Sequence, residues 1–204
     1  MKQRKLVVIS AGLSQPSSTR LLADQLSAAA ATAAGKLGVT LDVQVVEVRD
    51  LAHEITDHML TGFPPAVLKQ AQDEVAAADG LIVVTPVFSA GYSGLFKSFF
   101  DVLDQDTLRD KPVLLAATAG TARHSLVLEH ALRPLFAYLR TVPLPTAVFA
   151  ASDDWGANSV EGPLRARIDR AAAELAREVE RREPATVADP FALTESFEDM
   201  LKSL

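Results

Sequence analysis

Five short apolar runs, each separated from the next by a stretch with helical spacing, constrain this 204-residue chain more than any other feature. The runs occupy residues 6–9, 41–46, 81–84, 113–116 and 147–149 and are rich in Val, Ile and Leu. Most lack polar alternation, as expected of a strand whose sheet is covered on both faces. Between and after them, apolar residues recur at intervals of three and four. The sets are Leu22, Leu26, Ala29, Ala30 and Ala33; Val67, Ala71, Val75 and Ala78, after Pro64 and Pro65; and Phe96, Phe99, Phe100 and Leu103. Two more follow: Val127, Leu128, Ala131, Leu135 and Leu139; and Leu164, Ile168, Ala172, Leu175 and Val179. Each set occupies one face of a helix.

Five strands alternating with five helices predict an α/β protein. The expected form is a three-layer flavodoxin-like sandwich around a five-stranded parallel sheet of order 2-1-3-4-5. One domain over residues 1–182 and an acidic amphipathic tail over 183–204 account for the length. The tail carries five acids and one lysine, so most of the net charge of −6 lies there and the body is nearly neutral. Its apolar residues Leu193, Phe197, Met200, Leu201 and Leu204 have helical spacing and predict docking on the protein's own core or on a neighbouring subunit.

The acidic balance argues against nucleic acid as a partner. The absence of cysteine removes disulfide scaffolds, thiolate metal sites and cysteine nucleophiles. No apolar run approaches a membrane span, and the apolar stretch after the basic first residues is short enough to be a strand. A cytoplasmic location is therefore expected.

Ligands of such sheets bind beyond the carboxyl ends of the strands. The loop after the first strand, Ser10-Ala11-Gly12-Leu13-Ser14-Gln15-Pro16-Ser17-Ser18-Thr19, combines a glycine, a proline and several N-cap residues at a helix start. It is either an ordinary serine-rich cap or an anion site. The Walker and dinucleotide glycine fingerprints are both missing. The segment Thr85-Pro86-Val87-Phe88-Ser89-Ala90-Gly91-Tyr92-Ser93-Gly94, read as a loop, offers aromatic surface to a flat ring; otherwise it is a plain connection with Phe88 buried. The segment Ala117-Thr118-Ala119-Gly120-Thr121-Ala122-Arg123-His124 is a third such loop, its small residues allowing close backbone approach. An anion site, a ring platform and amide donors around one crevice suit flavin mononucleotide (FMN).

The stretches TPVFSAGYSGLFKSFFD and ATAGTARHSLVLEHALRPL closely resemble NAD(P)H-dependent FMN reductases, in particular the two-component enzymes that feed reduced FMN to flavin monooxygenases. The resemblance runs over residues 5–182. It implies that Ser10, Ser17, Ser18 and Thr19 hold the FMN phosphate, that Pro86, Val87, Phe88 and Ser89 line the isoalloxazine ring, and that Ala119, Gly120 and Thr121 approach its pyrimidine edge. It further implies FMN with NADH or NADPH as co-substrate, no side-chain acid or base, and a homodimer or homotetramer. Many relatives carry an arginine inside the phosphate loop; here Ser18 stands near that point and the nearest arginine is Arg20.

Pro134 deprives the carbonyl of His130 of its helical partner, so a kink or wide turn is expected there. The resemblance implies a π-bulge, with His130 acting in flavin exchange or serving as an interface residue. His53 and His58 lack a ligand constellation. Asp153 and Asp154 read as a loop, with Trp155 at the crevice rim. Three readings compete with FMN reduction: an FMN-retaining quinone, azo or metal-oxyanion reductase, a flavodoxin-type electron carrier, and a phosphate-binding regulatory module. Arg123 is a candidate partner for a nicotinamide 2′-phosphate.

Overall fold

The computed structural model describes residues 1–155 and 162–185. Four strands form the body of a parallel sheet: β1 (Lys2–Ser10), β2 (Val39–Glu47), β3 (Gly80–Phe88) and β5 (Pro112–Ala119). The fifth position is filled in two pieces, β6 (Val142–Pro143) and β7 (Val148–Ala151), both parallel to β5. The order β2-β1-β3-β5 followed by these pieces is the flavodoxin-like order expected. Pro143 and Pro145 lie within or between the two pieces, and a proline supplies no N–H to a ladder.

Successive strand residues feed opposite layers, as the pleat requires. Leu6 and Val8 of β1, Ile82 and Val84 of β3, and Leu114 and Ala116 of β5 pack on one face with α1 (Ser18–Lys36) and α6 (Pro163–Arg181). Val7, Ile9, Leu81, Val83, Val113 and Leu115 face the other way. There they meet α3 (Ala66–Ala76), α4 (Gly94–Asp101) and α5 (Arg133–Tyr138). Phe96, Phe100 and Phe136 form a tilted and edge-on aromatic cluster in that layer. Both faces are covered, which is why the strands are continuously apolar. At the amino ends, the buried Arg4 donates to the Val179 and Arg182 carbonyls at the C-terminus of α6, where positive charge is favoured.

Three expectations are corrected. A sixth helix, α2 (Ala52–Thr61), stands between β2 and α3. It buries only Ile55; Leu51, Ile55 and Met59 at intervals of four, with Gly62 closing the helix at φ 78, are its signal. The segment after Val84 is not a loop. β3 continues to Phe88 and turns back into β4 (Gly91–Tyr92), because Pro86 favours extended backbone and Ser89 and Ala90 close a two-residue turn. Finally, Trp155 packs against the α1/α6 layer rather than at the cleft, and Asp154 accepts the Ala151 N–H at 2.7 Å, a bond that closes the loop after β7. The tail residues 186–204 lie outside the described residues.

The helix before α5 contains a π-turn over Leu128–Leu132, where the Arg133 N–H reaches the Leu128 carbonyl. Its position fits the missing N–H of Pro134. His130 sits within it, exposed.

Candidate active site

A cleft of about 310 Å3 opens at the carboxyl ends of β1, β3, β5 and β7. Ser17, Ser18 and Thr19 line it from the start of α1, Pro86, Val87 and Phe88 from the end of β3, and Ala119 and Gly120 from the end of β5. Leu13, Ser14, Thr118 and Ser152 complete the wall. The sequence reading missed these four. Leu13, Ser14 and Thr118 all lie within loops identified from the sequence without being singled out as cleft residues, and the register of β5 turns Thr118 toward the cleft.

Three expected residues do not line the cleft. Ser10 is completely buried beneath the loop, because the Ala11 N–H remains bonded to the Val84 carbonyl and keeps the strand extended past it. Ser89 lies in the turn between β3 and β4 at φ 47 and is exposed. Thr121 is exposed on the rim, where its hydroxyl accepts the Arg123 N–H at 3.0 Å.

The loop after β1 folds tightly upon itself. Ser17 caps α1 by accepting the Arg20 N–H at 3.3 Å. A Cβ built on Gly12 would lie 2.0 Å from the Ser17 hydroxyl, so only glycine permits this closure. Arg49 Nη1 donates to the Leu13 carbonyl at 2.8 Å and ties the loop to the segment after β2. Thr19 and Thr118 share a hydrogen bond at 2.8 Å at the cleft wall. The Ser10 hydroxyl has no partner among the described residues.

These features fit a phosphorylated flavin. The N-terminus of α1 and its hydroxyls form an anion cradle. The apolar Val87 and half-exposed Phe88 form a wall for a flat ring. The cradle itself is uncharged. Arg20 points away, its guanidinium bonded to Glu47 at 2.6 Å and Asp24 at 2.7 Å, and these carboxylates raise it above the ordinary arginine value.

A larger cavity, about 860 Å3, lies at the opposite end of the sheet. Its cations are engaged. Arg109 pairs with Asp106, Lys111 Nζ donates to the Ala76 and Ala78 carbonyls at 2.8 and 2.7 Å, and Arg182 bonds Asp110 and Glu178. Among the described residues no group of three or more His, Asp or Glu side chains is placed to hold a metal ion, and no helix is long and apolar enough to cross a membrane.

The family model for NADPH-dependent FMN reductase matches residues 4–156. A protein of Pseudomonas aeruginosa named FMN reductase (NADPH) is 42% identical over 175 residues, covering 84% of this chain and 90% of its own. An NADH-dependent FMN reductase, SfnF, of Pseudomonas fluorescens is 39% identical, covering 84% and 89%. The solved structure of an oxidoreductase from Corynebacterium diphtheriae superposes with a TM-score of 0.84 at 47% identity, covering 90% of this chain and all of that one. With the cleft, the sheet order and these likenesses in agreement, the chain belongs to the NADPH-dependent FMN reductase family.

Proposed function

We propose that this NAD(P)H-dependent FMN reductase binds FMN exchangeably in the cleft and supplies reduced FMN to a flavin monooxygenase. The observation that carries this reading is the uncharged cradle. Arg20 is committed to Asp24 and Glu47, so the phosphate is held by the hydroxyls of Ser17 and Ser18 and by helix N–H groups, without the charge-assisted bond an arginine would add. When bound, the flavin accepts hydride from the nicotinamide, and the protein supplies orientation and electrostatics.

In this reading the chain's own residues divide the work. Ser17, Ser18 and Thr19 hold the phosphate end. Pro86, Val87 and Phe88 present one face to the ring, and Ala119 and Gly120 approach its edge. Phe88 is half-exposed, and in this reading the nicotinamide stacks on the ring face turned away from the Val87 and Phe88 wall. Arg123 is exposed on the rim, and among the described residues its side chain makes no ion pair; it is the candidate for a 2′-phosphate. His130, exposed in the π-turn, is the candidate for flavin exchange. The function is cytoplasmic in this proposal, with residues 1–182 as the catalytic domain and 183–204 as an appendage. Met59, Leu60, Phe63 and Val67 stand exposed along one surface stretch, as do Leu126 and Tyr138 near the π-turn, which supports a homodimer or homotetramer.

The test follows anaerobic oxidation of NADH and NADPH with added FMN while free and bound flavin are separated. Free reduced FMN is the expected product. Reduction with the flavin retained would redirect the assignment to a reductase of another acceptor, and no oxidation of either nucleotide would overturn it.

A further inference from the structure

We propose that Thr85 is a positioning residue for the flavin ring, its hydroxyl clamping the root of the hairpin that carries Val87 and Phe88 to the cleft. The inference rests on the reading of the cleft as a flavin site. Thr85 is fully buried in β3 and does not line the cleft. Its Oγ1 makes two hydrogen bonds, accepting the Ser93 N–H at 3.0 Å and donating to the Pro86 carbonyl at 2.9 Å.

The location explains why the clamp is needed. β3 is registered on β5 as far as Pro86, opposite Thr118. Its last two residues then pair antiparallel with β4, Val87 with Tyr92 and Phe88 with Gly91. The Thr85 side chain takes the Ser93 N–H just below these pairs, where the hairpin joins the sheet. Ser93 is 2% exposed and begins α4, so water does not replace that partner. The far end of the hairpin is strained, because Ser89 at φ 47 and Ala90 at φ 67 occupy the left-handed region without being glycine. Holding Phe88 in place therefore falls to the root. Without the Thr85 hydroxyl, a buried N–H loses its acceptor and the tip strain is opposed only by two residue pairs.

The experiment compares wild type, Thr85→Val and Thr85→Ser as full-length proteins. Hydrogen exchange of amides 87–93 is measured without flavin, and binding of FMN and of riboflavin is titrated separately. Thr85→Val should speed exchange at the hairpin and weaken both flavins by the same factor, about tenfold. Equal loss is the signature of a ring wall, since riboflavin lacks the phosphate. Thr85→Ser, which restores an acceptor, should recover both. Wild-type exchange in Thr85→Val, a loss confined to FMN, or Thr85→Ser behaving as Thr85→Val would each overturn the proposal. Wild-type protein that binds neither flavin would instead overturn the flavin reading, and the exchange comparison would still decide whether Thr85 clamps the hairpin.

Discussion

Thr19 and Thr118 stand 99 residues apart in the chain, yet their hydroxyls meet at 2.8 Å. Both side chains are almost fully buried, and both line the cleft. The pair couples the start of α1, which forms the phosphate cradle, to the end of β5, which faces the ring edge. Thr118→Val alone should leave the Thr19 hydroxyl buried without a partner and lower stability by about 1–3 kcal/mol. Adding Thr19→Val should cost less than the sum of the two single changes, because the double variant strands neither hydroxyl. A double-mutant cycle in denaturant measures the coupling.

Gly12 and Gly120 separate a steric requirement from mere proximity to the cleft. A Cβ on Gly12 would collide with Ser17, whereas a Cβ on Gly120 has nothing within 4 Å. Gly12→Ala should displace the Ser17 cap and weaken FMN by about fivefold or more, a loss comparable to that of a helix cap, about 1 kcal/mol. Riboflavin should be much less affected. Gly120→Ala should leave the fold unchanged in circular dichroism and thermal melting. Titration of both flavins against both variants checks the pair.

Arg140 occupies the left-handed position after α5 at φ 57. The Arg140 and Thr141 N–H groups bond back to the Ala137 and Phe136 carbonyls, the helix-closing pattern in which glycine is usual. Arg140→Gly should raise stability by about 1 kcal/mol through relief of the Cβ contact. Its exposed, 3.5 Å pairing with Asp106 offsets little of that gain. Thermal unfolding is the measurement.

Lys111 provides the pH dependence. Burial lowers its ammonium below the ordinary lysine value, and Asp79 opposes the shift. Between the folded value and the unfolded one near about 10.4 the unfolded chain holds more protons, so stability should rise with pH across that window. Lys111→Arg, which does not titrate there, should lack the rise. Denaturant midpoints from neutral pH to about pH 10.4 compare the two.

Much of the cleft is legible in the chain before it folds. Gly12, Pro16 and the Ser17-Ser18-Thr19 cap announce a tight loop before a helix, and Pro134 announces the wide turn at His130, because these residues restrict their own backbone. The five apolar runs likewise narrow the sheet order to a few, since a parallel sheet covered on both faces admits few connections. α2 escaped this reading because its stripe is short, only Leu51, Ile55 and Met59, and Met59 stays exposed.

Tertiary structure alone decided the rest. Thr85 and Pro86 continue as strand because β5 runs alongside them, and Val87 and Phe88 because Gly91 and Tyr92 come back to meet them; local propensity permits extended backbone there but does not encode either partner. Ser10 turns out to be buried and Thr118 to line the cleft because strand register sets which way each side chain points, and register is a property of neighbouring strands. Arg20 stays out of the cradle because Glu47, far along the chain, offers a nearby carboxylate. Local sequence thus determined the elements and their caps, which depend on short-range backbone energetics, whereas the identity of each side chain's partner required distant segments to be brought together by the packed sheet.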